Sequence, residues 1–334
     1  MRVHWSGVRM LTGVVVAALA ATGLVQPVVA AEPTALTASV DSGDWTTASA
    51  VAGSQLHVEL TGGMWVTAAA RCTVRLAGPK AVRVTNLRIV DGGVAVPTTG
   101  IKAGRYRGSM ACGGGKSFKL SDAIIVPKGQ SPRGTCTVVE QGFTYDPKSG
   151  YVSVGAMLQN SNPLVPSSDG EAIINVMDAS GSIIKTVSGA MGSVLPGSTR
   201  PSGMSIDVES AVGSVQFIPS CSKPAPLSNS ESYVAVPASA SPPRPGYSSS
   251  IVVGGTVTNS WKQTLNGSSY DGSVVRFVTR NAAGQITGGG SADLNSVNPP
   301  PGASVRWETY VSGLVDIASA TRVDATLTPG FVAQ

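Results

Sequence analysis

The sequence predicts an all-β protein of tandem immunoglobulin-like sandwiches, and three observations lead there. Of the 334 residues only 5% are aromatic, while 40 are glycine and 22 are proline. The apolar positions are mostly valine, isoleucine and alanine, a composition suited to strands joined by turns. Alternation is visible along the chain: Met204, Ile206 and Val208 fall on one face of an extended segment, with Ser205 and Asp207 on the other. Finally, "SVLPGSTRPSG" at 193–203 returns as "NPPPGASVRW" at 298–307, so a turn is used twice.

The first segment stands apart from the fold. Arg2 and Arg9 precede the apolar run "LTGVVVAALAATGLVQPVVA", which ends in small residues; this is the pattern of a secretory signal peptide over 1–31, cut after Ala30 or Ala31. No cysteine follows the run closely, so no lipid anchor is expected. The mature protein is expected to be secreted, or held loosely at the cell envelope, with no stable membrane insertion. Removing the leader lowers Lys plus Arg from 24 to 22 against 19 acids, leaving a net charge of +3. Taken as spread along the chain, that charge predicts no nucleic-acid partner.

The two turns belong to longer copies. The first runs through "YVSVGAMLQNSN", "EAIINVMDASGSIIKTVSG", "SVLPGSTRPSGMSIDV" and "AVGSVQFIPS"; the second through "SIVVGGTVTNSW", "SVVRFVTRNAAGQITGGG", "NPPPGASVRWETYV" and "IASATRVDATLTPG". Gly155 and Asn160 match Gly254 and Asn259 at an offset of 99, Asp178 and Gly181 match Asn281 and Gly284 at 103, and Pro196 and Gly197 match Pro301 and Gly302 at 105. A period near 100 is that of a whole small domain and not of a solenoid unit. Inside each copy an Asx residue and a glycine close a hairpin, and each Pro-Gly pair closes a turn before the next strand.

The expected organisation is therefore a signal peptide at 1–31, an immunoglobulin-like sandwich at 32–128, a first copy at 134–222, a Pro/Ser-rich linker at 223–247 and a second copy at 248–334. In the N-terminal unit, segments such as "SQLHVELT", "ARCTVRLAG" and "GRYRGSMAC" read as short strands separated by turns. Within the linker, "ESYVAVPA" is a candidate edge strand.

The pattern of "G-x-x-x-x-N", an apolar strand with an Asp-containing turn and glycine, then Pro-Gly, resembles the FxLYD domain, a small immunoglobulin-like sandwich found in tandem on exported proteins. Phe277 keeps the name-giving phenylalanine where the first copy has Ile174; the tyrosine position holds Met177 and Arg280, and the aspartate position Asp178 and Asn281. The resemblance implies a structural module and brings no catalytic residue. The N-terminal unit resembles generic bacterial immunoglobulin-like domains.

Four cysteines on an exported chain predict two disulfides. Tyr106, Met110 and Cys112 alternate onto one face, which turns Cys112 inward toward Cys72. Cys136 and Cys221 lie at the first and last strands of the first copy and form the second expected pair. A metal site is not expected, because no two cysteines form a C-x-x-C pair and the mature chain has a single histidine, His57.

No catalytic or cofactor-binding residue is expected. His57 alternates with Gln55 and Glu59 on the face expected to meet solvent, and no nucleophile elbow, zincin or P-loop motif occurs. The acids Asp41, Asp44, Asp122, Asp169 and Glu171 read as turn residues, and "CGGGKSF" as a strand-to-strand turn. Trp65 and Trp261, both placed in loops, are the candidate interaction surface, whereas Trp307 is expected in a core. The expected function is a non-enzymatic interaction or spacer protein that meets an extracellular protein or an envelope component. The alternatives are an extracellular hydrolase with a carboxylate site in the N-terminal unit and a secreted protease inhibitor.

Overall fold

A computed structural model describes residues 37–40, 48–60, 71–90, 93–113, 117–167, 170–221, 236–237, 239–247, 250–268, 272–314 and 316–330. Over these residues the protein is all-β, with no α-helix and a single 3-10 turn at Ile317–Ser319. Residues 1–31, the expected signal peptide, lie outside them.

The N-terminal strands are β1 (Thr37–Val40), β2 (Ala48–Val51), β3 (Gln55–Leu60), β4 (Arg71–Ala77), β5 (Val82–Val90), β6 (Gly93–Pro97), β7 (Gly104–Cys112) and β8 (Ser117–Val126). Their spatial order is β1-β3-β6-β5-β4-β7-β8-β2. The long strand β5 joins the two halves: its first part pairs with β4, and its last two residues, Ile89 and Val90, pair with β6. Alternation sends Cys72, Val74 and Leu76 of β4 inward, where they meet Leu56, Val58, Val94, Val96, Tyr106 and Met110. Cys72 lies directly opposite Cys112 in the β4/β7 ladder, and the two form the expected disulfide.

Strand β5 contains a bulge. Cys72 pairs with Leu87 but Val74 pairs with Val84, so β5 spends one residue more than β4 over that interval. Asn86 takes up the difference at a φ of 61°, a left-handed conformation that asparagine tolerates better than most residues.

The first copy comprises β9 (Thr137–Asp146), β10 (Tyr151–Gln159), β11 (Gly170–Met177), β12 (Ile183–Gly192), β13 (Thr199–Asp207) and β14 (Ser214–Ser220). Two three-stranded sheets, β13-β10-β9 and β12-β11-β14, close over a core that includes Val152, Val154, Leu158, Ile174, Val176, Ile206 and Phe217. The disulfide between Cys136 and Cys221 ties the residue before β9 to the residue after β14, joining the edges of the two sheets.

The second copy comprises β15 (Val236–Pro237), β16 (Ser239–Ala240), β17 (Arg244–Pro245), β18 (Ser250–Thr258), β19 (Val274–Arg280), β20 (Ile286–Ala292), β21 (Ser304–Ser312) and β22 (Arg322–Thr328). Strands β18 to β22 repeat β10 to β14 in order and in neighbours, with β21 on β18 as β13 is on β10, and β20-β19-β22 as β12-β11-β14. The short pieces β16 and β17 pair with β18 where β9 pairs with β10. A separate core holds Ile251, Val253, Phe277, Val305, Trp307 and Leu327. The described part of the expected linker is thus built into this copy: the piece of "ESYVAVPA" at Val236–Pro237 adds an edge strand to β22, while 222–235 lie outside the described residues.

The repeated residues do the same work twice. Gly197 and Gly302 adopt φ values of 63° and 80° after their prolines, and Gly181 and Gly284 adopt 85° and 82° in the hairpins. Asn160 and Asn259 are fully buried. Asn160 Nδ2 donates to the carbonyls of Val165 (2.8 Å) and Val194 (3.1 Å), and Asn259 Nδ2 to those of Gln263 and Pro299 (2.8 Å each). Each pins a wide loop that has only an isolated backbone bridge of its own, from Ser167 to Val194 and from Leu265 to Pro299, which explains why the "G-x-x-x-x-N" spacing recurs.

Candidate functional site

The two copies touch through sheets, not through a tether. In β10, Val152, Val154, Ala156 and Leu158 enter the core of the first copy, yet Ser153 and Gly155 between them are buried as well. What covers them is the outer face of the β20-β19-β22 sheet. Stacked sheets ordinarily lie about 10 Å apart because side chains fill the gap. Here glycines remove the filler. A Cβ at Gly203 would sit 2.6 Å from the Gly289 Cα, one at Gly155 would strike the Gly288 carbonyl, and one at Gly142 the Ile286 carbonyl. Backbone meets backbone, and Ser153 Oγ accepts a bond from Gly289 N (3.3 Å) within the contact.

Around this dry centre lies a polar rim. Arg280, 7% exposed, donates from its two Nη atoms to both carboxylate oxygens of Glu140 (2.5 and 2.8 Å), and from Nε to Asp324 Oδ2 (2.6 Å). Arg276 Nη1 donates to the Ala190 carbonyl (2.8 Å), Arg200 Nη2 to Thr328 Oγ1 (2.7 Å) and Ser205 Oγ to the Ser312 carbonyl (3.0 Å). The hydrogen bond from Arg280 holds the Glu140 carboxyl below its ordinary range. Burial pushes Asp324 up, but bonds from Arg280 and Arg322 outweigh it and leave that carboxyl lowered too. The guanidinium is raised in turn, first by its bond to Glu140.

A cleft of about 500 Å³ opens beside the rim, lined by residues that include Glu140, Gln141, Phe143, Ser214, Asn281 and Gln285. Its amides are already engaged. Gln141 Nε2 donates to the Val215 carbonyl (3.3 Å) and its Oε1 accepts from Phe217 N (3.1 Å), so one side chain occupies the free edge of β14. Asn281 and Gln285 bond each other across the hairpin. The cleft is a seam between packed sheets whose polar groups hold the protein to itself.

No family model matches this chain, and a search of curated proteins finds no match.

Among the residues singled out from sequence, the four cysteines stand in their expected pairs. Trp307 is 1% exposed and stacks on Phe277 with ring centroids 5.8 Å apart, as expected of a core residue. Trp261 requires a correction. It is 5% exposed and belongs to the core of the second copy, because Asn259 Oδ1 captures the Trp261 amide (2.9 Å) and folds the loop back over the sandwich end. Its ring therefore offers no surface to a partner. Trp65, Asp41, Asp44, Asp169 and the centre of "CGGGKSF" lie outside the described residues, and for His57 and Asp122 only the backbone is described. Among the described residues the most exposed aromatics are instead Tyr247 and Tyr310, 80% and 55% exposed, with ring centroids 6.3 Å apart. Shifted acids outside the rim serve turns: Asp178 is lowered by the Ser180 hydroxyl and the Ser182 amide, and Asp316 by the hydroxyl and amide of Ser319. Among the described residues no group of three His, Cys, Asp or Glu side chains is arranged to hold a metal ion.

One feature went unseen in the sequence. The outer face of the β5-β4-β7 sheet carries Arg71 and Arg75 on β4, Arg83 and Arg88 on β5, and Arg105 and Arg107 on β7, all exposed. Arg71 lies directly across from Arg88, and Arg75 across from Arg83. The bulge at Asn86 makes this possible: residues five apart on a regular strand face opposite ways, and the extra residue returns Arg88 to the face of Arg83.

The rim has a pH signature. A carboxyl lowered in the folded protein stabilises it fully above its unfolded pKa, near 4 for these groups, and that contribution fades as pH falls through the folded value. We expect Glu140→Gln to lower the melting temperature at pH 7 and at pH 5, with the difference from the wild type closing only below about pH 4. Calorimetric scans from pH 3 to 7 check this; a constant difference down to pH 3 would refute it.

Proposed function

We propose that this is an exported, non-enzymatic interaction protein whose β-sandwich modules form a stiff scaffold presenting fixed surfaces outside the cell. The observation that supports it is the glycine seam, with its Arg280 rim. It removes the freedom that a linker between the copies would otherwise allow, and a protein that displays surfaces in a set relation to one another has a use for that rigidity. The two disulfides suit an oxidising compartment, and no described helix is long and apolar enough to cross a membrane. The leader-like first 31 residues and the resemblance of the copies to FxLYD modules belong to this same reading. It is tested by incubating the mature protein with washed cell envelopes and, separately, with panels of esterase, glycosidase and peptidase substrates. Saturable sedimentation with envelopes and no turnover is the expected result. Turnover that survives removal of residues 134 onward would replace the reading with that of a hydrolase.

A further inference from the structure

The arginine face of the N-terminal unit is costly as built. Like charges directly opposite one another on a sheet destabilise it, yet two such pairs stand side by side, and among the described residues no carboxylate pairs with Arg71, Arg75, Arg83 or Arg88. The arrangement also depends on a non-glycine residue held in the left-handed region, Asn86. Without that bulge Arg88 would turn away and one of the repelling pairs would vanish. Two unfavourable choices in one place, each of which concentrates positive charge on the same surface, are accounted for if a partner supplies the missing anions.

The shape narrows the class of partner. Arg75, Arg83 and Arg107 border a shallow, open depression of about 460 Å³ with Ala77, Val82 and Ser109, at the end of the face that carries the Arg75 and Arg83 pair. Along β4 the two pairs are four residues apart, about 13 Å at the usual rise, while within a pair the side chains start only about 5 Å apart. Paired guanidinium forks match the oxygens of phosphate bidentately, better than ammonium groups do. A linear chain with an anionic group at each repeat would meet one pair and then the next along β4, whereas a single small anion would engage one pair alone.

We infer that the β5-β4-β7 face binds a linear phosphodiester-linked polymer of the cell envelope, with Arg71, Arg75, Arg83 and Arg88 as its phosphate ligands. This rests on the reading of the protein as an exported interaction module and names the partner class.

The test uses the full mature protein and poly(glycerol phosphate) as the probe, by calorimetric titration at low and at physiological salt. The expected result is saturable binding that weakens as salt rises, is absent with neutral dextran, and falls at least tenfold in the variant carrying R71Q, R75Q, R83Q and R88Q. The same variant should melt no lower than the wild type, since it relieves repulsion, so loss of binding is not loss of fold. R75K with R83K should bind with intermediate strength, and R244Q on the second copy should bind as the wild type does. Undiminished binding by the fourfold variant, or tighter binding to phosphatidylglycerol vesicles or duplex DNA than to the polymer, would overturn the assignment. Envelope sedimentation separates the two levels of the claim: if the fourfold variant still sediments with envelopes, the polymer assignment falls and the interaction reading stands, whereas a wild type that never sediments removes the reading itself.

Discussion

Gly155→Val is expected to separate the two copies without unfolding either one. The valine side chain would start where the Gly288 carbonyl already is, and neither backbone can yield, because each is fixed in its own ladder. Overpacking a rigid contact costs about 1 to 3 kcal/mol in ordinary cores, and the upper end applies here since the two nearest atoms belong to backbone. The loss falls on the seam. Calorimetry should then resolve separate transitions for the two copies where one joint transition is expected of them in the wild type, and small-angle scattering should show a larger radius of gyration. A single transition at the wild-type temperature would mean that the glycines are incidental. Gly203→Val should open the seam as well, because its Cβ would meet the Gly289 Cα at 2.6 Å, and should also lower the stability of the first copy, because the Val154 carbonyl lies 2.5 Å away.

Replacing Cys136 and Cys221 together by serine is expected to have the largest effect on the first copy alone. The bridge closes a separation of 85 residues against 40 for Cys72 and Cys112. In the chain-entropy model the longer closure stabilises by about 4 to 5 kcal/mol, some 0.7 kcal/mol more than the shorter one. A domain whose whole stability is about 5 to 15 kcal/mol loses a large fraction of it. The location compounds the effect, for the bridge joins the edges at β9 and β14, where Gln141 is the other link between the sheets. Urea titration of the double variant should show the transition of the first copy well below that of the second. A shift of less than 1 kcal/mol would show that the seam, not the bridge, closes the edge.

Much of this architecture was legible in the residues. Periodicity in Met204 to Val208, the Asx-Gly hairpins and the Pro-Gly turns are local signals, and the duplication made each of them visible twice. The cysteine pairing followed from alternation in β7 and from where the strands had to lie. What the sequence concealed was contact between surfaces. Ser153 and Gly155 alternate with the core residues Val152, Val154 and Ala156, and nothing in that spacing says that a second sheet covers them; the cue available was the run "TGGGSA" in β20, where a strand spends three positions on residues with no side chain to pack. Trp261 was misplaced because a loop residue can be pulled inward by a single buried asparagine. The arginine face was hidden by arithmetic: 83 and 88 have opposite parity, and a bulge within "RVTNLR" leaves no compositional mark beyond an asparagine.

The seam pairs unlike surfaces, the β10 sheet of one copy against the β19 sheet of the other, and head-to-tail contacts between units of one fold continue into fibres when the rotation does not close. The corresponding positions on the two free sheets are filled differently. On the free β18 sheet, Glu308 stands opposite Gly254 where the first copy has Gly203 opposite Gly155. On the free β11 and β12 sheet, Lys185 and Thr186 stand where the second copy has Gly288 and Gly289. Side chains at these sites remove the close backbone approach that a third layer of the same kind would need.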